Sequence, residues 1–229
     1  RKNSNYALFP YYTDDKITES AEVTGSNSIF IVTVSEKKYL WEPFSERHAQ
    51  VYDTTRNLYK NIYGNKLIFE EINHDLQLTF SYEWNSSNQF GFIRKSQLVN
   101  NGKDAVKVDF IDGIQNILPY GVEEALQNAS SNLVDAYKKC ELESDTGLGI
   151  YSLSAIIVDK AEPSEALKAN VVWSAGLDNA KKLISSLQLN AFRSGQPVQQ
   201  EVDVRAEKGA YFLHDDIQLE VNSKKEWML

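Results

Sequence analysis

The side chains best able to move protons in this sequence are three histidines, His48, His74 and His214, and 32 acidic residues. The histidines are isolated, and no two stand at a spacing that would place metal ligands side by side. His74 and His214 adjoin Asp75 and Asp215 in β-type stretches, where a surface or hydrogen-bonded structural role is expected. The acids include the doublets Asp14-Asp15, Glu70-Glu71, Glu123-Glu124 and Asp215-Asp216. Neighbours in a strand point to opposite faces, so a doublet does not assemble the facing carboxylates that glycoside cleavage uses. Asp112 before Gly113 reads as a strand ending at a turn, with its carboxylate bonding turn amides. The motifs GxSxG, HExxH, GxxxxGK and a helix-opening GxGxxG are absent. The expectation is a chain with no catalytic residue, metal site or cofactor of its own.

Aromatic side chains offer a different chemistry. A sugar ring presents an apolar face that stacks on Trp or Tyr, and the chain has 4 Trp and 12 Tyr to supply such platforms. Trp41, Trp84, Trp173, Trp227, Tyr11, Tyr12 and Tyr120 are the candidates, with core packing competing at each. Trp84 sits in the turn-rich WNSSN, whereas Trp173, inside NVVWSAG, reads as core. The carbohydrate-binding expectation rests on Trp41, Trp84 and Tyr120.

Those residues need a scaffold, and composition bounds it. At 229 residues, with 42% hydrophobic and 24% charged side chains, the chain can build one large core. The net charge of −8 would repel a phosphate backbone, which argues against nucleic-acid binding. No run approaches the ~18 apolar residues of a membrane span. A single cysteine, Cys140, excludes an internal disulfide and is expected in or beside a helix as a small apolar residue.

The patterning is mainly β. IFIVTV (29–34) is a strand, and 38–60 reads as loop with short strands. KLIFEEINHDLQLTFSY reads as one long strand, or two broken near Asn73, with Leu76, Leu78, Phe80 and Tyr82 on one face. FIRKSQLV and VKVDFID follow, the latter alternating through Val106, Val108 and Phe110. Asn101-Gly102 between them predicts a tight hairpin, and hence a three-stranded meander over 76–121. Val122, Leu126, Ala129, Leu133 and Tyr137 then form one helical stripe. GIYSLSAIIVD and ALKANVVWSAG return to β, and Asp178 is a plausible N-cap for a short helix to Ser186. VQQEVDVR, GAYFLHD, DIQLEV and KKEWML close the chain as short strands. About a dozen strands with one or two short helices predict a single large antiparallel β-sandwich over 1–229.

Two segments carry a resemblance. YEWNSSNQFGFIRKSQLVN, with Trp84, Ser87, Phe90, Gly91, Phe92 and Arg94, and VDFIDGIQNILPYGV, with Asp112, Gly113, Asn116, Leu118, Pro119 and Gly121, resemble the N-terminal β-sandwich of cellobiose-phosphorylase-like and related glycoside hydrolases. AFRSG and KGAYFLHDDIQLEVNSKKEW resemble its closing strands, so the likeness covers most of 5–229. It implies the galactose-mutarotase-like supersandwich, with a catalytic (α/α)6 barrel following as partner in the same parent chain. It also implies a supporting role beside glycan and a capacity to form a homodimer. The alternatives are a stand-alone carbohydrate-binding module and an aldose-epimerase-like enzyme, although no epimerase His–carboxylate motif maps onto the three histidines. A first residue of Arg1, an only methionine at Met228 and the carbohydrate context predict a removed upstream segment and a periplasmic or secreted location.

Overall fold

The computed structural model describes residues 8–9, 22–157 and 168–229. Asp14-Asp15, Tyr11 and Tyr12 lie outside them. The strands are β1 (Gly25–Val34), β2 (Lys37–Trp41), β3 (Thr54–Lys60), β4 (Lys66–Asn73), β5 (Leu78–Ser87), β6 (Gly91–Asn100) and β7 (Val106–Ile117). After helices α1 (Glu124–Ala129) and α2 (Ser131–Tyr137) come β8 (Lys138–Glu143), β9 (Leu148–Leu153), β10 (Asn170–Val172) and β11 (Lys181–Leu183). Helix α3 (Leu189–Arg193) precedes β12 (Asp203–Arg205), β13 (Gly209–Leu219) and β14 (Lys224–Met228). The strands form three sheets, ordered β11-β13-β7-β1-β2, β10-β9-β8-β12 and β14-β6-β5-β4-β3. The fold is mainly β and antiparallel, as the patterning predicts.

The described residues gather into two compact units, each drawn from several stretches of chain. One holds Ser28–Ile111, Ser174–Ala180 and Asp215–Leu229. It is a two-layer sandwich. Leu78, Phe80 and Tyr82 of β5 face inward, as do Val106, Val108 and Phe110 of β7, so the alternation read from sequence sets the core faces. Phe30 packs edge-on to Phe80 at 4.9 Å, and Phe110 meets Trp227 at 4.8 Å, joining the two layers through aromatic rings.

The three-stranded meander expected over 76–121 does not form. β5 and β6 do form a hairpin, with Ser87 opposite Gly91, but β7 leaves for the other sheet and β14 takes its place beside β6. Asn101-Gly102 is therefore a crossover between layers, and Gly102 does not adopt a positive φ. Asn100 braces the crossover: its amide donates to the carbonyls of Asp104 at 2.8 Å and of Leu219 and Glu220 at 3.2 Å each. Those bonds substitute for the ladder a hairpin would have supplied.

The other unit holds Asp112–Trp173, Lys181–His214 and the described residues up to Asn27. The single helix expected over 122–137 is two, broken at Ser130 (φ −139°, ψ 42°). The break rotates the stripe, so Val122, Leu126 and Val134 pack with Leu118 while Leu133 turns outward. The helix expected after Asp178 is instead strand β11, paired with β13. Cys140 lies in β8, which starts directly after α2, and it is buried as expected of an apolar residue. Asp112 sits within β7, fully buried, and not at a turn. Beside it a Cβ on Gly113 would come within 2.0 Å of the Tyr211 carbonyl oxygen, so this position admits only glycine.

Candidate functional site

A cavity of about 40 Å³ in the sandwich unit gathers the strongest cluster of chemically able side chains. Its lining includes Trp41, Glu42, His48, Tyr52, Arg56 and Glu71. Strand register explains the grouping. Glu71 is in phase with Leu67 and Phe69 along β4, so it projects inward, and its cross-strand partner on β3 is Arg56. Its neighbour Glu70 faces outward and accepts from Asn57 and Tyr59, as expected for a strand doublet.

Glu71 is held from three sides. Its Oε1 accepts from the Trp41 indole N–H at 2.8 Å, and its Oε2 accepts from the Phe44 amide and the Arg56 Nε, each at 2.7 Å. Arg56 also donates to Glu46 at 2.6 Å and to the Ser45 carbonyl at 2.9 Å. Burial opposes the guanidinium charge, but the bonds to Glu46 and Glu71 outweigh it and raise the Arg56 pKa. Glu42, its side chain fully buried, lies 3.2 Å from His48 Nε2. Tyr52 donates to the Leu40 carbonyl at 2.8 Å, and burial raises its phenol pKa.

Chemically this is a clamp on the 42–53 loop and the start of β3. Glu71 spends both oxygens on structural donors, and the volume suits a few waters, well short of the ~300–1,000 Å³ of ligand clefts. The other histidines are elsewhere: His74 bonds Thr55 at 2.8 Å, and His214 packs edge-on against Phe192 at 5.5 Å. Among the described residues, no three His, Cys, Asp or Glu side chains come together as a metal site.

The three expected stacking residues lie in different settings. Trp41 is inside the core, tilted against Phe30 at 5.3 Å, with no face open to a sugar. Tyr120 is 37% exposed, with the Lys168 ammonium 5.1 Å from its ring centroid. Trp84 is on strand β5, not in the turn, half-buried and opposite Arg94 and Leu67. Trp173, expected in the core, is exposed. Glu71 and Arg56 were missed from sequence, although the phase of Leu67, Phe69 and Glu71 would have flagged an inward carboxylate.

No family model matches this chain, and no curated protein matches it. Among solved structures it is similar to a polysaccharide lyase, with a TM-score of 0.46 at 10% identity. The match covers 96% of this chain and 27% of that one, so the chain spans about a quarter of the lyase's length. Likeness at that level assigns neither a family nor an activity.

Proposed function

We propose that this chain is the non-catalytic β-sandwich of a carbohydrate-active protein, of the supersandwich type that precedes a helical (α/α)6 barrel. The observation that carries the non-catalytic part is the small cavity, where Glu71 has both oxygens committed to Trp41, Phe44 and Arg56. A general acid or nucleophile must reach substrate, and the bonds this carboxylate makes all run to structural donors of the fold. The residues carrying the family resemblance support an architectural role. Trp84 and Arg94 are cross-strand partners of one hairpin, whose turn Gly91 closes at φ +74°. Arg94 is buried over the Tyr82 ring at 4.5 Å and donates to Ser96 at 2.7 Å. Gly113 permits the close approach of Tyr211, and Asn116 takes a positive φ within β7. A helical barrel as partner and a periplasmic or secreted location belong to the same proposal.

The test is turnover. Incubated with a panel of glycans, with and without phosphate, the purified chain is expected to release no reducing sugar, unsaturated product or sugar phosphate. Turnover that co-purifies with the chain and disappears in Glu42→Gln or His48→Ala would overturn the proposal.

A further inference from the structure

We propose that one end of the β14-β6-β5-β4-β3 sheet is an aromatic rim that binds an uncharged glycan, a placement that rests on the carbohydrate reading above. Register puts two hairpin tips together there. Lys60 pairs with Leu67 and Lys66 with Asn85, while Ser87 pairs with Gly91. The 61–65 turn and the 88–90 turn are therefore at the same edge. Ile62 and Tyr63 on the first tip are 90% and 83% exposed, and Phe92 beside the second is 57% exposed. Phe92 pairs with Ser86, and so shares a face with Trp84, whose cross-strand neighbours are Leu67 and Arg94. This is the same face that carries Phe80 and Tyr82 into the core, continued past the end of that core.

Charge selects the ligand. Residues 61–65 (NIYGN) and 85–93 (NSSNQFGFI) contain aromatics, amides and hydroxyls but no acidic or basic side chain. The nearest carboxylate, Glu83, is committed to Lys66 at 2.8 Å and to the Asn85 amide. Burial pulls the Glu83 pKa upward, yet Lys66 and Asn85 outweigh it and hold the carboxyl below its usual range. The two tips pair ring faces with amide groups, which complements a neutral polyhydroxyl chain; of the lysines flanking the first tip Lys66 is paired with Glu83, and Lys60 alone makes no charge cluster for an anionic polymer or a lipid headgroup. Both tips are also pre-organised. Asn61 donates to Asn65 at 2.6 Å, Gly64 turns at φ +70°, and the Gln89 and Phe90 amides both donate to Ser87 Oγ at 3.2 Å. Little ordering entropy is then lost when a ring stacks on them.

The experiment is titration calorimetry with Trp fluorescence on the purified chain. The probes are cellohexaose, xylohexaose and mannohexaose as uncharged ligands, and polygalacturonate as the anionic one. At least one uncharged hexasaccharide is expected to bind with a Trp emission shift. Tyr63→Ala and Phe92→Ala should each weaken it by about tenfold or more, the scale of losing most of one buried ring face. Leu187→Ala, outside both tips, should leave affinity unchanged, and all three side chains are exposed enough for thermal midpoints to stay level. Glycan binding that both rim variants leave intact overturns the rim while the carbohydrate reading stands. Preference for polygalacturonate overturns the neutral-ligand assignment. No binding by any probe at millimolar concentration overturns the rim as a glycan site and withdraws support from the carbohydrate reading. Self-association lost in the rim variants, without glycan heat, would hand this surface to a second copy.

Discussion

Replacing Glu71 tests whether the cavity is a structural clamp. Glu71→Ala removes the acceptor of the buried Trp41 indole N–H, the Phe44 amide and the Arg56 Nε. The Arg56 side chain is 42% exposed and can return to water, so its bond is discounted. The two remaining donors are orphaned at about 1–3 kcal/mol each, with the half-buried Phe44 amide toward the lower end, or about 2–4 kcal/mol together. For a chain of this length that lowers the thermal midpoint by about 4–16 °C. Glu71→Gln keeps one oxygen. It is expected at the Oε2 position, where two donors meet, leaving the indole N–H facing an NH2 group at a cost of about 1–3 kcal/mol. A Trp41→Phe background removes that donor, so the cost of Glu71→Gln should largely vanish there. Equilibrium urea unfolding of the four members of this double-mutant cycle measures the coupling. A Glu71→Gln cost that is the same with Trp41 in place as in the Trp41→Phe background would refute the clamp.

Three further outcomes follow from the same geometry. Gly113→Ala should prevent folding or lower the midpoint far more than Gly91→Ala, because the first Cβ meets the Tyr211 carbonyl oxygen at 2.0 Å while the second meets open space; Gly91→Ala, at φ +74°, should cost only about 1–2 kcal/mol. Soluble expression and melting curves of the pair decide it. Burial pushes the Cys140 thiol up to about 12, so a disulfide-exchange reagent at pH 8 should titrate no thiol in the native chain and one in urea; prompt native labelling would contradict that burial. The bonds from Lys224, Gln97 and Lys95 bring Glu226 down from 4.5 to about 2. A depressed folded value means its contribution is present above pH 4.5 and is lost as pH falls toward 2. The stability difference between the chain and Glu226→Gln should shrink across that window, and a pH-independent difference would refute the assignment.

What the sequence determined by itself is the class of structure and the faces of its strands. Leu78, Phe80 and Tyr82, and Val106, Val108 and Phe110, alternate because successive side chains of any extended strand point opposite ways, and one face must leave water. That reasoning needs no partner. Partnership is where local reading stopped. Asn101-Gly102 has the composition of a hairpin turn, yet β7 completes its hydrogen bonds in a different sheet from β6, and Asn100 braces the crossover. The helical stripe over 122–137 was legible as a period, but not its break at Ser130, which brought Val134 inward and left Leu133 outside. Trp41 and Trp84 are one residue type read alike from sequence. Tertiary packing alone sent the first into the core and carried the second to the sheet's aromatic end, because a side chain's burial depends on what the far strands place over it.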